Sequence, residues 1–96
     1  MPAYVVAYVK VTDPDSMAAY GSQVEAVTES FGGRYLFVGP GAEVLEGGLP
    51  LDGMAIIEFP SREDAQRWYD SPEYAPLRAL RQAAGPTGLI LTSDVE

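Results

Sequence analysis

The first apolar run of the chain, AYVVAYVKVT at residues 3–12, has the composition and alternation of a β-strand. Successive side chains of a strand point to opposite faces, so the run has two sides of different character. One side is wholly aliphatic and consists of Val5, Ala7, Val9 and Val11. The other side is mixed and consists of Tyr4, Val6, Tyr8, Lys10 and Thr12. The pattern predicts a strand whose aliphatic side lies under helices and whose mixed side faces a less apolar environment.

After this strand, apolar residues recur every three or four positions, which is the spacing of an amphipathic helix. Asp13 is a good N-cap, and Pro14 suits the first helical position. The apolar stripe consists of Met17, Tyr20, Val24, Val27 and Phe31. The glycine pair 32–33 ends the helix, because glycine accepts the left-handed conformation that closes many helices. We expect this helix to pack on the sheet, with Tyr20 in the core.

The remaining apolar runs predict three more strands and a second helical region. The strands are expected at 34–39, 54–59 and 88–94, with a short extension or edge piece at 42–47 and a loop at 47–53. The second helical region begins after Ser61, a good N-cap, and is expected to bury Trp68 and Tyr69. It restarts at Ser71 and continues with two further leucines as a small apolar edge.

The resulting order is β-α-β-β-α-β, which we interpret as a single domain over residues 1–96. This order predicts an α+β, ferredoxin-like fold, in which an antiparallel sheet of strand order 4-1-3-2 carries its helices on one face. The other face is then uncovered, and its apolar side chains form a larger patch than a monomer normally exposes. The patch consists of Tyr4, Val6, Tyr8, Leu36, Val38, Met54 and Ile56. We therefore expect a homodimer that joins two sheets face to face.

Glu58 interrupts the third apolar strand, on the face that the helices leave uncovered. A carboxylate in such a run is paired, neutralised or directed into a wet cavity. We expect the third strand to run parallel to the first, so that Lys10 and Tyr8 lie at the same end of the sheet as Glu58. The expected hairpin register pairs Arg34 with Glu58, Leu36 with Ile56, and Val38 with Met54.

The polar group formed by Lys10, Glu58 and Arg34 has two interpretations. In the first, it is a cross-strand ion pair at the rim of the dimer, which contributes little where it is exposed. In the second, Glu58 and its cations line a ligand cavity between the subunits. The cations would lower the pKa of Glu58 and burial in a dimer would raise it, so both directions stay open.

The charge balance is acidic, with six Lys and Arg against fourteen Asp and Glu and a net charge of −8. Nucleic-acid binding needs a positive surface, which this balance does not provide, and contact with an anionic membrane is disfavoured for the same reason. The absence of Cys and His removes thiolate chemistry, haem with a His ligand and His-based zinc sites, and no carboxylate cluster suggests a metal site. Arg78 and Arg81 are expected at the solvated surface. The N-terminal segment has neither a basic region nor a long apolar run, which predicts a cytoplasmic protein.

Several blocks that together cover nearly the whole chain are MPAYVVAYVKVTDPDSMAAY, FGGRYLFVGP, EVLEG, IIEFPSREDAQRWYDSPEY and PLRALRQAA. They resemble the small bacterial family of unknown function DUF1330. The resemblance implies a dimeric α+β barrel, a homodimer whose two sheets close around a cavity. The wider superfamily includes cofactor-independent monooxygenases, haem-degrading enzymes, muconolactone isomerase, polyketide cyclases and stress-related barrels. One departure is the segment GLPLDG after EVLEG, where many members carry an aromatic residue.

Together these features predict that a small organic molecule is bound or transformed, without a cofactor, in a cavity on the open sheet face. Glu58 would be the acid/base group or an anchor for the ligand, and Tyr8 would donate a hydrogen bond. Lys10 and Arg34 would orient Glu58 or hold an anionic group of the ligand, and Tyr74 would reach the cavity mouth. The alternative is a non-catalytic structural or stress-associated homodimer without a ligand site.

Overall fold

The computed structural model describes residues 2–93, which contain four strands and three helices. In chain order the elements are β1 (Ala3–Val9), α1 (Pro14–Ser30), β2 (Arg34–Pro40), β3 (Gly53–Phe59), α2 (Arg62–Asp70), α3 (Ala75–Ala84) and β4 (Thr87–Ser93). The strands form one antiparallel sheet of order β2-β3-β1-β4, which is the predicted order counted from the other edge. The prediction of an α+β, ferredoxin-like fold is confirmed.

α1 begins where the sequence predicts it, because Asp13 caps its first turn. The Asp13 carboxylate accepts hydrogen bonds from the backbone N–H groups of Asp15 and Ser16 at 3.2 and 3.3 Å. The Ser16 hydroxyl donates to the same carboxylate at 2.9 Å and, together with the backbone bonds, lowers the pKa of Asp13. The predicted apolar stripe faces the sheet, with Tyr20 and Val24 buried in the core.

The core lies between the helices and one face of the sheet, as predicted. The aliphatic side of β1 and the matching side of β3 supply Val5, Ile57 and Phe59, all of them buried. α2 and the turn that follows it contribute Trp68 and Tyr74, whose ring centroids lie 4.3 Å apart. Complete burial of a side chain such as Ile57 stabilises a fold by about 1.5–3 kcal/mol. This layer therefore holds the helices to the sheet.

The direction of β3 relative to β1 differs from the prediction. β3 runs antiparallel to β1, with Tyr4 opposite Glu58 and Tyr8 opposite Met54. The crossover through α1 makes β1 and β2 parallel, and the chain reverses after β2, so the strand that lies between them opposes both. The predicted parallel arrangement is wrong. As a consequence, Lys10 lies at the opposite end of the sheet from Glu58.

The register of β2 on β3 is confirmed at its first pair, where Arg34 lies opposite Glu58. A β-bulge then inserts Leu36 as an additional residue and shifts the later pairs by one. These later pairs are Phe37–Ile56, Val38–Ala55 and Gly39–Met54. The predicted partners of Leu36 and Val38 are therefore wrong. Val38 moves to the helix-covered side, because a shift of one residue exchanges the two faces of a strand.

Several predicted element bounds also differ from the structure, and those of β2 and β3 differ by one residue each. β1 ends at Val9 rather than at residue 12, because the following backbone bonds to other segments: the N–H of Thr12 donates to the carbonyl of Ala84 at 2.7 Å. Residues 42–47 form no strand. β4 covers Thr87–Ser93 rather than 88–94, and residue 94 lies outside the described residues.

Within residues 2–93, none of the helices combines the length and the apolar character that crossing a membrane requires. The longest of the three, α1, has 17 residues and exposes a polar face. The cytoplasmic location stays a prediction.

Candidate functional site

A cavity of about 430 Å³ lies on the helix-covered side of the sheet, between α1 and the strands β1, β2 and β3. Small-ligand sites typically enclose about 300–1,000 Å³. The wall is mostly apolar and includes Ala7, Met17, Gly21, Val24, Ala55 and Ile57. The sequence predicted a cavity on the uncovered face between two copies, whereas a single chain forms this one on the opposite side of the sheet.

Arg81 of α3 belongs to the wall of this cavity and is almost fully buried, with 4% of its surface exposed. Its Nη1 donates to Thr87 Oγ1 at 2.7 Å, and that hydroxyl donates to the carbonyl of Tyr8 at 2.7 Å. Its Nε is buried without a hydrogen-bond partner, and it forms no salt bridge with any described residue. Buried arginines are normally paired with an anion. The charge of Arg81 is therefore free to attract an anionic group in the cavity.

Tyr20 lies in the cavity wall and pairs with a second buried tyrosine. Its hydroxyl oxygen lies 2.9 Å from that of Tyr74, and either group can donate. Burial raises the pKa of Tyr20, and the neighbouring Tyr74 adds to this effect. The phenol therefore keeps its proton at neutral pH. The two hydroxyls carry two protons and use one between their oxygens, so one proton remains for a third group.

The rim of the cavity is acidic and solvated. Glu25 of α1 and Asp52 of the loop before β3 line it, and both are exposed. Asp52 forms a salt bridge with Lys10 at 3.5 Å and accepts a hydrogen bond from the backbone N–H of Val11 at 3.0 Å. In the part of the chain that the structure describes, no group of three acidic residues converges as a metal site would require. The cavity thus combines an acidic rim, an apolar interior and one buried cation.

The residues predicted as a site on the uncovered face lie at two ends of the sheet. Arg34 donates to Glu58 Oε1 from Nη2 at 2.6 Å and from Nε at 3.2 Å. This pairing lowers the pKa of Glu58, and a hydrogen bond with Tyr4 contributes to the effect. Lys10 and Tyr8 lie at the other end, because β1 runs antiparallel to β3. The predicted grouping with Glu58 is confirmed for Arg34 and is wrong for Lys10 and Tyr8.

The remaining predicted site residue, Tyr74, is fully buried in the core, and its hydroxyl pairs with that of Tyr20, which lines the cavity. The predicted position of Tyr74 at a cavity mouth is wrong. Of the five predicted site residues, all within the described residues 2–93, Tyr8 lines the cavity itself. The catalytic and substrate-binding roles of the five residues stay predictions. They are Glu58, Tyr8, Lys10, Arg34 and Tyr74.

Arg81 is a residue that the sequence interpretation missed, because it was assigned to the surface together with Arg78. The structure buries Leu77, Arg81 and Ala84 along one side of α3, at steps of four and three. This spacing is that of an apolar stripe. Arg78 lies beside the stripe, where it donates to the carbonyl of Tyr69 at 2.9 Å and lies 4.8 Å from the centre of its ring. The signal in the sequence was a cation at a stripe position.

A comparison with protein-family models matches residues 2–95 of the chain to the family described as "Domain of unknown function (DUF1330)". The resemblance stated from the sequence is thereby confirmed. The comparison with curated proteins gives no match.

Solved structures with the same fold include proteins of unknown function and an oxygenase. A protein of unknown function from Rhodopseudomonas palustris has a TM-score of 0.73 and 26% identity, with 99% of this chain and 83% of that chain covered. A dimeric ferredoxin-like protein of unknown function from Jannaschia sp. has a TM-score of 0.77 and 8% identity, with 98% and 100% covered. SnoaB, a cofactor-independent oxygenase from Streptomyces nogalater, has a TM-score of 0.71 and 12% identity, with 99% and 94% covered. The last two likenesses show the fold alone.

Proposed function

The chain belongs to the DUF1330 family, whose function is unknown, and we propose that it binds a small organic acid in the cavity between α1 and the sheet. The acidic group of the ligand lies near Arg81, and its apolar body fills the space between α1 and the strands. Arg81 supplies the positive charge and Tyr20 a hydrogen bond, so binding needs no cofactor.

The observation that carries this proposal is the burial of Arg81 without an anionic partner among the described residues. Removing an ionised group from water costs several kcal/mol unless charge and hydrogen bonds compensate for it. Thr87 supplies one hydrogen bond, and an anionic ligand would supply the missing opposite charge. Arg81 and Tyr20 line the same cavity, so one ligand can interact with both.

A reaction on the bound ligand is a further step of the proposal. Because burial raises the pKa of Tyr20, its phenol stays protonated at neutral pH and would donate a hydrogen bond to the ligand rather than act as an acid or a base. SnoaB, which shares the fold, is a cofactor-independent oxygenase, and this reaction class is the first to test. The test is mass spectrometry of each bound acid after aerobic incubation with the protein, with Tyr20→Phe as the comparison. If every acid is recovered unchanged, the protein binds acids without transforming them.

The binding proposal is tested by isothermal titration calorimetry with aromatic and keto acids and with their neutral amides. We expect the wild type to bind acids and to bind the matching amides more weakly, because an amide cannot neutralise Arg81. Arg81→Met should weaken acid binding by about tenfold to a hundredfold, the value of a hydrogen bond to a charged group. Arg78→Met is the matched control on the same helix and should leave the affinity unchanged.

Both arginine variants also lose packing, so their unfolding midpoints are measured alongside their affinities. The proposal predicts that both variants lose stability and that Arg81→Met alone loses acid binding. Equal binding of acids and amides, or full acid binding by Arg81→Met, would contradict the proposal.

A second candidate site is the polar end of the uncovered face, where Arg34, Glu58 and Tyr4 form one hydrogen-bonded group. The observation in its favour is that Glu58 remains partly accessible, with 25% of its side chain exposed. Glu58→Gln separates the two sites in the same titrations. If acids bind in the cavity beside Arg81, Glu58→Gln should leave their affinity unchanged. A loss of affinity in Glu58→Gln would favour the uncovered face as the binding site.

We also propose that the chain forms a homodimer through its uncovered sheet face. An apolar row crosses all four strands there and consists of Phe37, Ile56, Val6 and Ile90. Phe37 and Ile90, at the two edges, are 48% and 53% exposed in the single chain. The Jannaschia protein with this fold is dimeric, which supports the proposal. A structural homodimer without a ligand is the alternative, and the failure of every acid to bind would favour it.

A further inference from the structure

The floor of the cavity is formed by small side chains where β1 and β3 face α1. Ala7 and Ala55 lie directly opposite each other on the two strands, and both line the cavity. The adjacent pair on the same side of the sheet is Val5–Ile57, and both of these residues are buried in the core. Side-chain volume thus decreases between these two pairs. The cavity opens over the smaller pair.

The helix above this floor also lacks a side chain at one position. Gly21 lines the cavity and is itself exposed, and a Cβ atom placed on it would meet no atom within 4 Å. Met17, Val24 and Glu25 lie within one turn of it and line the same cavity, so Gly21 occupies a place in their stripe. Its backbone does not require glycine, because its φ is not positive. Glycine inside a helix costs stability relative to alanine, so what this position provides is space.

We infer that Gly21, Ala7 and Ala55 form a slot about one side-chain layer deep, and that the slot selects acids with a flat apolar body, such as aryl carboxylic acids. A flat ring occupies the layer left by the missing side chains and contacts both walls. A globular body of similar volume would force α1 away from the sheet.

This inference rests on the proposed function, because Arg81 supplies the anchor for the acid group. The indication of a ligand is independent of the small residues: Arg81 is 4% exposed, lines the same cavity and carries a buried Nε without a partner among the described residues. The small residues then determine which acids fit beside it.

The shape of the slot is tested with two carboxylates of similar size, 2-naphthoate and adamantane-1-carboxylate, in calorimetric titrations of the wild-type protein. We expect 2-naphthoate to bind more tightly by about tenfold, because the globular acid overfills the slot. Equal affinities, or tighter binding of the adamantane acid, would overturn the inference about shape and leave the proposed acid site intact. Binding of neither acid nor any acid of the wider panel would overturn both.

The role of Gly21 is tested by Gly21→Leu, with Ser22→Leu as the matched control. Ser22 is exposed and lies next to Gly21 but does not line the cavity. Gly21→Leu should weaken 2-naphthoate binding by about tenfold to a hundredfold, because its side chain fills the slot. Ser22→Leu should bind as the wild type does.

Gly21→Ala provides a second variant that keeps the fold. A single methyl group meets no protein atom but narrows the slot, so this variant should gain stability and lose less 2-naphthoate affinity than Gly21→Leu does. If Gly21→Leu fails to fold, Gly21→Met takes its place with the same expected loss of affinity. Wild-type affinity in a folded Gly21→Leu or Gly21→Met protein would show that position 21 does not limit the ligand.

Discussion

The carboxylate of Glu58 accepts two hydrogen bonds from Arg34, and the pKa of Glu58 lies below its ordinary value of 4.5 for that reason. A carboxyl group whose pKa falls on folding stabilises the folded state above its unfolded pKa, and this contribution is lost as the pH falls through the folded pKa. We expect Glu58→Gln to lower the urea unfolding midpoint at pH 7. The difference from the wild type should narrow as the pH drops below 4.5.

The control for this prediction is the same substitution in an Arg34→Met background. Without the guanidinium, Glu58→Gln should cost less stability at pH 7, because the cause of the lowered pKa is gone. A difference between the wild type and the Glu58→Gln variant that stays constant from pH 7 to acidic pH would show that the ion pair does not contribute.

Contacts on the uncovered face were predictable where the two residues belong to the same hairpin. Arg34 and Glu58 face each other because they open and close a hairpin, and the β-bulge follows after their pair. Lys10 directly follows β1, and its position relative to Glu58 depends on the direction of β1 relative to β3. Arg81 could not be assigned from its residue type, because a cation on a short helix is usually exposed.

At the scale of elements, the connection from α3 to β4 depends on one glycine. Gly85 has a φ of +146°, and a Cβ there would overlap the carbonyl oxygen of Lys10. The carbonyl of Ala84 beside it accepts from the N–H groups of Thr12 and Asp13. Gly85→Ala should lower the free energy of unfolding by about 2–4 kcal/mol, because backbone strain and a steric clash add together.

Urea unfolding of Gly85→Ala and of the control Gly48→Ala checks this prediction. A Cβ at Gly48 meets open space, and its φ is not positive, so Gly48→Ala should change the free energy of unfolding by less than about 0.5 kcal/mol. Similar losses for the two variants would contradict the account of the connection.

The helices were predicted more completely than the strands, and the difference has a physical cause. α1 carries its own signals, a capping Asp13 and a stripe that repeats every three or four residues. The bulge at Leu36 has no comparable local signal. A bulge is defined by a shift of one strand against its partner, and the sequence of β2 alone does not show this shift. One inserted residue then exchanged the faces of everything after it.

At the scale of the whole molecule, the order of elements was enough to predict the ferredoxin-like fold, but it did not predict the cavity. The order limits the topology because connections are short and crossovers have one hand. The cavity is lined by Ala7, Ala55 and Gly21, which are distant in sequence. A glycine or alanine at any one of these positions gives no signal in the sequence. The cavity is apparent only in the folded structure, where all three residues line it.

The apolar row on the uncovered face leads to the prediction about assembly. Ile90 lies at the β4 edge of this row and is 53% exposed, so a second copy that covers the face would bury it. We expect the wild type to sediment as a dimer at micromolar concentration. Ile90→Lys should raise the dissociation constant by about a hundredfold or more, because a twofold interface would bury the new charge twice.

Leu45→Lys is the matched control for the dimer prediction, because Leu45 is 87% exposed and lies in the loop between β2 and β3 rather than on the sheet. This variant should remain dimeric in the same sedimentation experiment. The unfolding midpoint of the wild type should also rise with protein concentration, since association stabilises the folded state by mass action, and Ile90→Lys should lose that dependence. A wild-type protein that sediments as a monomer at micromolar concentration would show that the uncovered face is stable in water and that the cavity beside Arg81 belongs to a single chain.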